Sequence, residues 1–473
     1  MSKTVDLAIL GGGMGGYMAA IRAAQLGMTV ALVEKDKLGG TCLHRGCIPS
    51  KSLLRSAELF SQMKDSEAYG ITTGGLGLDF GRVQDRKTKI VDQLHLGVQA
   101  LMRKNKIDVV HGYGRIIGPS IFSPRSGSVA VEFADGELET IVPKFLLVAT
   151  GSRPRVLPGL EADGTFILTS DDALQLDELP RSILIVGGGV IGVEWASMLN
   201  DFGVEVTVIE NEGRLVPTED ADVSRELEAL FKKRGIRVLT GARLQTESVQ
   251  AGAAGVRAVV EHKGTQVELA AEKLLLSVGR EANLKNIGVE STDIKVERGF
   301  VKVNANYQTS ESHIYAVGDV IGGLQLAHVA SHEGILAVEH MAGLKPEPMK
   351  SHLVPRCIYT RPEIASVGWT EAEAREKGFD VKVGKFSFRY IGKALVYGET
   401  DGFVKVVADR ASGDLLGVHM IGPHVTDYIS EAALAQVLNA TPWEVAHTVH
   451  PHPALSEILA EAMLAVDGQA MGM

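Results

Sequence analysis

Cysteine is scarce in this chain: Cys42, Cys47 and Cys357 are the only three in 473 residues. Three thiols are too few for the disulfide framework of a secreted scaffold, so a reducing, cytoplasmic compartment is expected. Basic charge is also in deficit, with 48 Lys and Arg against 58 Asp and Glu and a formal net charge of −10. A surface for nucleic acid or an anionic membrane wants a basic field, so neither is an expected partner. No run of 18 or more apolar residues escapes Gly or charge, which leaves no membrane span. The start, MSKTVDLAIL, runs directly into a glycine cluster, so no basic-then-apolar leader is expected.

Glycine, by contrast, is abundant. Its 53 residues are about 11% of the chain against a background near 7%, and without collagen-like periodicity they point to tight backbone approaches of the kind phosphate-binding loops need. At roughly 100–200 residues per domain the length suggests three or four domains.

Two segments look alike. Residues 4–10 read as a buried strand, followed by GGGMGG at 11–16, an Ala-rich helix to about Leu26, and a second strand ending in Glu34. The pattern returns at 182–210: SILIV, GGGVIG at 187–192, a helix to about Asp201, and VEVTVIE closing on Glu210. Gly11, Gly13 and Gly16, and again Gly187, Gly189 and Gly192, stand at G-x-G-x-x-G spacing. The first glycine of each set permits the tight turn, the second lets a pyrophosphate approach the backbone, and the third lets helix and strand pack closely. The phosphates then lie at the positive end of a helix dipole, and the terminal acid accepts from a ribose hydroxyl. Glu210 at that place favours NAD over NADP, and Arg214 alone argues the other way. Two dinucleotide sites in one chain imply hydride transfer between two nucleotides.

Between the first unit and the rest lies GGTCLHRGCIPSK at 39–51. Cys42 and Cys47 are four residues apart, not the two of zinc knuckles or thioredoxin sites. A metal would need two further ligands where only His44 is at hand, so no metal is expected. Beyond a Pro- and Lys-marked linker at 340–350, strand-like and helical patterns alternate, which reads as a separate C-terminal α+β domain. Its apolar helix EAALAQVLNA suits either core or interface.

The block GGTC-x4-C-IPSK, both glycine loops, LLVATGSRP at 146–154, SVGR at 277–280, YAVGDV at 315–320 and HPHPALSE at 450–457 together resemble the pyridine nucleotide–disulfide oxidoreductases. The similarity runs from about residue 4 to 460 in family order, and is nearest to the branch that oxidises dihydrolipoyl groups. The resemblance implies an α/β fold of two Rossmann-like domains with a C-terminal α+β dimerisation domain. Expected boundaries are 1–150 for FAD, 151–280 for NAD, 281–347 for a central domain completing the FAD site, and 348–473 for the interface domain. Gly11, Gly13, Gly16, Glu34, Lys51, Gly114, Thr150, Gly151, Asp319 and Ala327 would hold FAD, Asp319 through the ribityl chain. Gly187, Gly189, Gly192, Glu210 and Gly279 would hold NAD. Cys42 would exchange with substrate, and Cys47 would pass electrons to the flavin. Lys51, paired with Glu194, would approach the flavin ring, where a cation stabilises the anionic reduced form.

Thiol–disulfide exchange proceeds through thiolate, so a neutral dithiol needs a base near neutral pH, for which His is suited. His447, His450 and His452 compete, with Glu457 five residues beyond the last to orient a ring. The family motif selects His452 and implies that it serves the disulfide of the other subunit of a homodimer. Further implied partners are the lipoyl domains and acyltransferase core of a 2-oxo acid dehydrogenase complex, or the lipoyl carrier protein of glycine cleavage.

Three positions in two segments depart from the family pattern. His44 and Arg45 stand where many relatives carry Asn and Val, so Arg45 is expected to favour thiolate. Ala454 replaces a Thr and removes one hydroxyl near the base. Cys357 is expected to be a buried thiol packing as a small hydrophobe. The rival enzyme, a glutathione-reductase-like NAD(P)H-dependent reductase of another small disulfide, would want arginines after the second strand, where Glu210 stands. A mercuric reductase would want a C-terminal cysteine pair, and a soluble transhydrogenase would lack the pair at 42 and 47.

Overall fold

The computed structural model describes residues 2–119 and 125–472, so the outermost residue of the first and last expected domains lies outside it. The chain divides into two compact units. One comprises residues 1–52, 81–155 and 280–349, and the other 53–80, 156–279 and 350–473.

In the first unit, Ser2–Leu10 is the middle strand of a sheet, parallel to Val30–Glu34 on one side and Leu138–Val148 on the other. Asp108–His111 extends it beyond Val30–Glu34, and Ile314–Ala316 pairs with Leu138–Val148. Leu7, Ala8, Ile9 and Leu10 are all within 2% of complete burial. A strand covered on both faces has no polar side to alternate with, hence the unbroken apolar run. The helix Met14–Gln25 lays Ala19, Ala20 and Ala23 into the core. It packs on Ala327–Met341 so closely that a Cβ on Gly334 would meet the Gly15 carbonyl at 2.4 Å.

The second unit repeats this plan. Ser182–Val186 is flanked by parallel Glu205–Glu210 and Lys273–Leu276, with Arg237–Thr240 and Ile167–Thr169 at the edges. Ala242–Gly252, Gly255–His262 and Thr265–Ala271 form an antiparallel meander. The C-terminal part is an antiparallel sheet in the order Arg356–Ile358, Glu363–Gly368, Leu415–Gly422, Phe403–Asp409, Val381–Ser387. The helices Val425–Val437 and Glu457–Ala465 contribute Ile429, Ala432, Ile458, Leu459 and Ala462 to its core. Half-buried Cys357 packs against the same core as a small apolar group.

A buried ionic cluster ties the segment after Glu205–Glu210 to this sheet. The Lys405 ammonium, 3% exposed, meets Asp220 at 2.9 Å and Glu371 at 2.8 Å. Glu219 meets Arg356 at 3.2 Å and accepts from the Ser366 hydroxyl at 2.5 Å. Charges this deeply buried persist because each is paired.

Candidate active site

The first glycine loop follows from crowding at two points. Gly11 has φ +104°, and a Cβ there would meet the Ala149 carbonyl oxygen at 2.3 Å. A Cβ on Gly16 would lie 1.8 Å from the Gly11 carbonyl oxygen, which no side chain tolerates. The loop opens the helix Met14–Gln25, whose first backbone N–H groups have no partner within the helix and suit an anion. Glu34 braces the loop by accepting from Gly12 N–H at 2.7 Å and Asp36 N–H at 2.8 Å. Each carboxylate oxygen keeps a further lone pair for a ribose hydroxyl.

A cleft of about 310 Å³ lies along this loop, with Gly11, Glu34, Gly114, Thr150, Arg153 and Asn283 among its walls. Four of the residues expected at FAD are thereby brought together. Gly114 is pressed onto the sheet: a Cβ there would meet Leu10 at 2.5 Å. Thr150 and Asn283 lock the far wall by exchanging hydrogen bonds at 2.9 and 3.0 Å. A half-open, mixed polar and apolar groove beside a helix N-terminus fits a dinucleotide. Asp319, in the turn Gly318–Ile321, accepts from the Ser152 hydroxyl and has the Arg280 guanidinium at 3.8 Å. Its position is fixed while an oxygen is left for a hydroxylated chain. Gly151 takes φ +67°, and Ala327 starts the helix that comes after Asp319.

Sequence reading assigned no role to Ser152, Arg280, Asn283 or Arg153. Ser152 and Arg280 lie inside the quoted segments LLVATGSRP and SVGR. The strands Ser152–Pro154 and Arg280–Ala282 bring them together by antiparallel pairing.

The cysteines sit immediately beyond this loop. Gly39, at φ +113°, leads into the short helix Gly40–Arg45, and Cys47 opens the next helix, Cys47–Lys64. Gly40 abuts the loop, since a Cβ on it would lie 2.6 Å from Gly13 Cα. Both cysteines are half-buried thiols here. The hydrogen bond between them, then burial, pushes the Cys42 thiol far up, while Lys51 pulls it down. Lys51 is the cation acting on Cys42, whereas Arg45 is committed to an ion pair with Asp36 at the half-exposed surface. His44 is likewise committed: its Nε2 and the Nδ1 of His95 each lie 2.9 Å from the Leu38 carbonyl, which accepts from both.

In the second unit, Gly187 and Gly192 reproduce the first loop, with φ +105° at Gly187 and a 1.8 Å clash for a Cβ on Gly192. Glu210 is buried and accepts from Gly188 N–H at 2.5 Å and Glu212 N–H at 2.6 Å. Arg214, the one argument for NADP, donates to the Pro217 carbonyl at 2.6 Å. Around Gly189 a Cβ would meet no described atom within 4 Å, and Gly279, at φ +101°, is equally open. Glu194, 6% exposed, accepts from the Tyr359 amide at 2.9 Å.

The three C-terminal histidines, equivalent in composition, separate by environment. His447 stacks on Trp443 at 4.2 Å. His450 is 7% exposed, with its nitrogens on the Thr448 carbonyl and, at 2.8 Å, on Glu431. His452 is 77% exposed and bonds Glu457 through Nδ1 at 2.8 Å, which leaves Nε2 for a substrate proton. Burial of Glu457 is outweighed by the Ala454 amide at 2.8 Å and by His452, so its carboxyl sits below the usual range. The backbone N–H of Ala454 makes this bond regardless of the absent hydroxyl.

Known proteins are similar to this chain over its whole length. Residues 5–334 match the model of the pyridine nucleotide-disulphide oxidoreductases, and residues 354–463 that family's dimerisation domain. Similar over the full length of both chains are a dihydrolipoyl dehydrogenase of Bacillus subtilis, 61% identical, and one of Zymomonas mobilis, 43% identical. Among solved structures, LpdA from Mycobacterium tuberculosis superimposes with a TM-score of 0.89 at 30% identity, over 98% of this chain and 99% of that one. The HOCl-induced flavoprotein disulfide reductase RclA of Escherichia coli superimposes at 0.85 and 26%, with the same coverage. With duplicated nucleotide loops, a cysteine pair against the first and a dimerisation domain at its end, the chain belongs to the pyridine nucleotide-disulphide oxidoreductases.

Proposed function

We propose that this chain oxidises protein-bound dihydrolipoyl groups with NAD⁺, the dihydrolipoyl dehydrogenase reaction, using FAD and the Cys42–Cys47 disulfide. The observation that carries the reading is the cysteine pair set directly against the first nucleotide loop through Gly40 and Gly13. The 61% identity to a dihydrolipoyl dehydrogenase over the whole chain supports this substrate against the glutathione-reductase-like alternative.

Bound FAD supplies a two-electron carrier between the dithiol and NAD⁺. The protein's own part is thiol chemistry. His452 Nε2 takes a proton from one substrate thiol, and the thiolate attacks Cys42 Sγ, expelling Cys47 as thiolate. The second substrate thiol then displaces Cys42, and the oxidised lipoyl group leaves. Glu457, kept ionised, fixes the imidazole tautomer and stabilises the imidazolium. Lys51 and buried Glu194 serve as cation and positioning carboxylate near the flavin. Asp319 and the Glu34-braced loop hold FAD, and Glu210 holds the NAD ribose.

The working form is a homodimer in which His452 and Glu457 act on the partner's disulfide. Support comes from the dimerisation domain and from apolar side chains exposed along Val425–Val437 and just beyond, among them Leu434, Val437, Leu438 and Trp443. Its partners are lipoyl domains and the acyltransferase core of a 2-oxo acid dehydrogenase complex, or the lipoyl carrier of glycine cleavage, in the cytoplasm. No helix among the described residues is long and apolar enough to cross a membrane.

The test is anaerobic reduction of the purified protein by dihydrolipoamide, then addition of NAD⁺ or NADP⁺. Reduced nicotinamide should form rapidly with NAD⁺ and little with NADP⁺. A yellow protein that ignores dihydrolipoamide would move the function to another disulfide.

A further inference from the structure

Glu333 is a buried carboxylate with no part in the thiol chemistry. It lies on the helix Ala327–Met341, 7% exposed, and its Oε2 accepts the Gly318 N–H at 2.7 Å. Gly318, at φ +76°, opens the turn that carries Asp319. A Cβ on Gly318 would meet Ala330 Cβ at 3.2 Å, and one on Gly15 would meet the Ala330 carbonyl at the same distance. One helix therefore touches both the first glycine loop's helix and the Asp319 turn, and Glu333 is its polar link to that turn. Asp319 itself is held by Ser152 and Arg280, and the Gly318 end of the turn by Glu333.

We infer that Glu333 is a positioning residue for the flavin: by holding the Gly318 amide it sets the Asp319 turn in register for the ribityl chain. The inference rests on the reading that FAD occupies this unit. The groups facing Glu333 are Asp319 on the turn and Tyr307, whose hydroxyl burial and then Glu333 push up to about 12. On the packed helix Met14–Gln25, Arg22 is engaged with Glu339 at 2.6 Å; the strand Ile314–Ala316 presents Tyr315, bonded to His340 at 2.8 Å. Burial pushes the Glu333 carboxyl up to about 7, with Asp319 adding to the rise and the Gly318 amide opposing it. Above that pH the carboxylate makes a charge-assisted bond to Gly318; below it, the neutral acid is a weaker acceptor.

The test is flavin release from holoenzyme on dilution, monitored by flavin fluorescence between pH 6 and pH 8. Wild type should release flavin more slowly at pH 8 than at pH 6. Glu333→Gln, which keeps a carbonyl acceptor without a charge, should give a flat profile. Glu333→Ala should release flavin about tenfold or more faster at pH 8, the worth of one buried charge-assisted bond. Identical pH profiles for wild type and Glu333→Gln, or unchanged release from Glu333→Ala, would overturn the inference. Wild type that binds no flavin would instead overturn the functional reading beneath it.

Discussion

The two glycine loops agree nearly atom for atom until a single residue, and then they part. The amides of Gly11 and Gly187 donate to Val33 and Ile209 at 2.9 and 2.8 Å. Leu38 and Leu215 both stand 2.6 Å from where a Cβ on Gly12 or Gly188 would lie. The next amide, of Gly39 or Val216, returns to the Gly12 or Gly188 carbonyl at 2.8 Å in both. After that, Gly39–Gly40 turn the chain into the cysteine helix, while Val216–Pro217 lead to Glu219, Asp220 and the buried Lys405 cluster. A nucleotide site is thus a transferable backbone device, and chemistry is added by the segment downstream of it. The Gly39 amide is the last point of likeness, and the two cysteines and Lys51 all lie beyond it.

The largest effect should come from removing what only the first unit has. Cys47→Ser should lower dihydrolipoamide–NAD⁺ turnover by about 10³-fold or more, as expected when a nucleophilic unit is broken. Flavin should be retained, because the loop and its cleft are untouched; the flavin absorbance of the purified variant checks this. Loss of colour would mean that the cysteine helix and the loop are one folding unit, contrary to the comparison.

His452→Gln comes next, at about 10²–10⁴-fold, the usual worth of a positioned base. His450→Gln should cost much less in turnover and more in stability, because the His450 side chain is 7% exposed and paired with Glu431. Glu457, its carboxyl held low, contributes to the pair above its ordinary value and loses that contribution as pH falls through its lowered one. Equal rates for the two His variants would return the assignment to an open choice.

Sequence alone carried the loops because their signal is local: glycines at fixed spacing, an apolar strand, and an acid at its end. It also carried the cysteine pair and the short span from His452 to Glu457. The family motif chose His452 over His450, but composition and spacing alone left the choice open, because the Glu431 that engages His450 lies nineteen residues away. Nor could sequence alone find the Lys405 cluster, in which Asp220 and Lys405 lie 185 positions apart. Arg45 shows the opposite failure: its sequence neighbours are cysteines, but its guanidinium turns to Asp36. Ser152 and Arg280 meet only through strand pairing, and Asn283 reaches the cleft wall from 133 positions beyond Thr150. Local pattern yields nucleotide loops; buried polar partners need the tertiary fold.

Paired glycine substitutions sharpen the comparison further. Gly16→Ala and Gly192→Ala meet the same 1.8 Å obstruction, and overpacking of this kind costs about 1–3 kcal/mol. Gly16→Ala should weaken FAD retention with little change in the NAD⁺ KM of whatever holoenzyme remains. Gly192→Ala should keep its flavin and raise the NAD⁺ KM by about tenfold. Reversed phenotypes, read from flavin content and steady-state kinetics, would exchange the two assignments.

The smallest effects should fall on the acids and on Arg214. Glu210 already accepts two backbone N–H groups, so Glu210→Gln keeps the loop braced on one side and removes the charge that repels a 2′-phosphate. The NAD⁺-to-NADP⁺ ratio of kcat/KM should fall by about three- to tenfold, a single charged hydrogen bond's worth. Arg214→Ala should move that ratio by less than about threefold, because its guanidinium serves the Pro217 carbonyl. A large loss of NADP⁺ activity in Arg214→Ala would show that the side chain leaves Pro217 to meet a phosphate. The second loop would then carry a specificity device of its own, and the likeness of the two units would end before Val216.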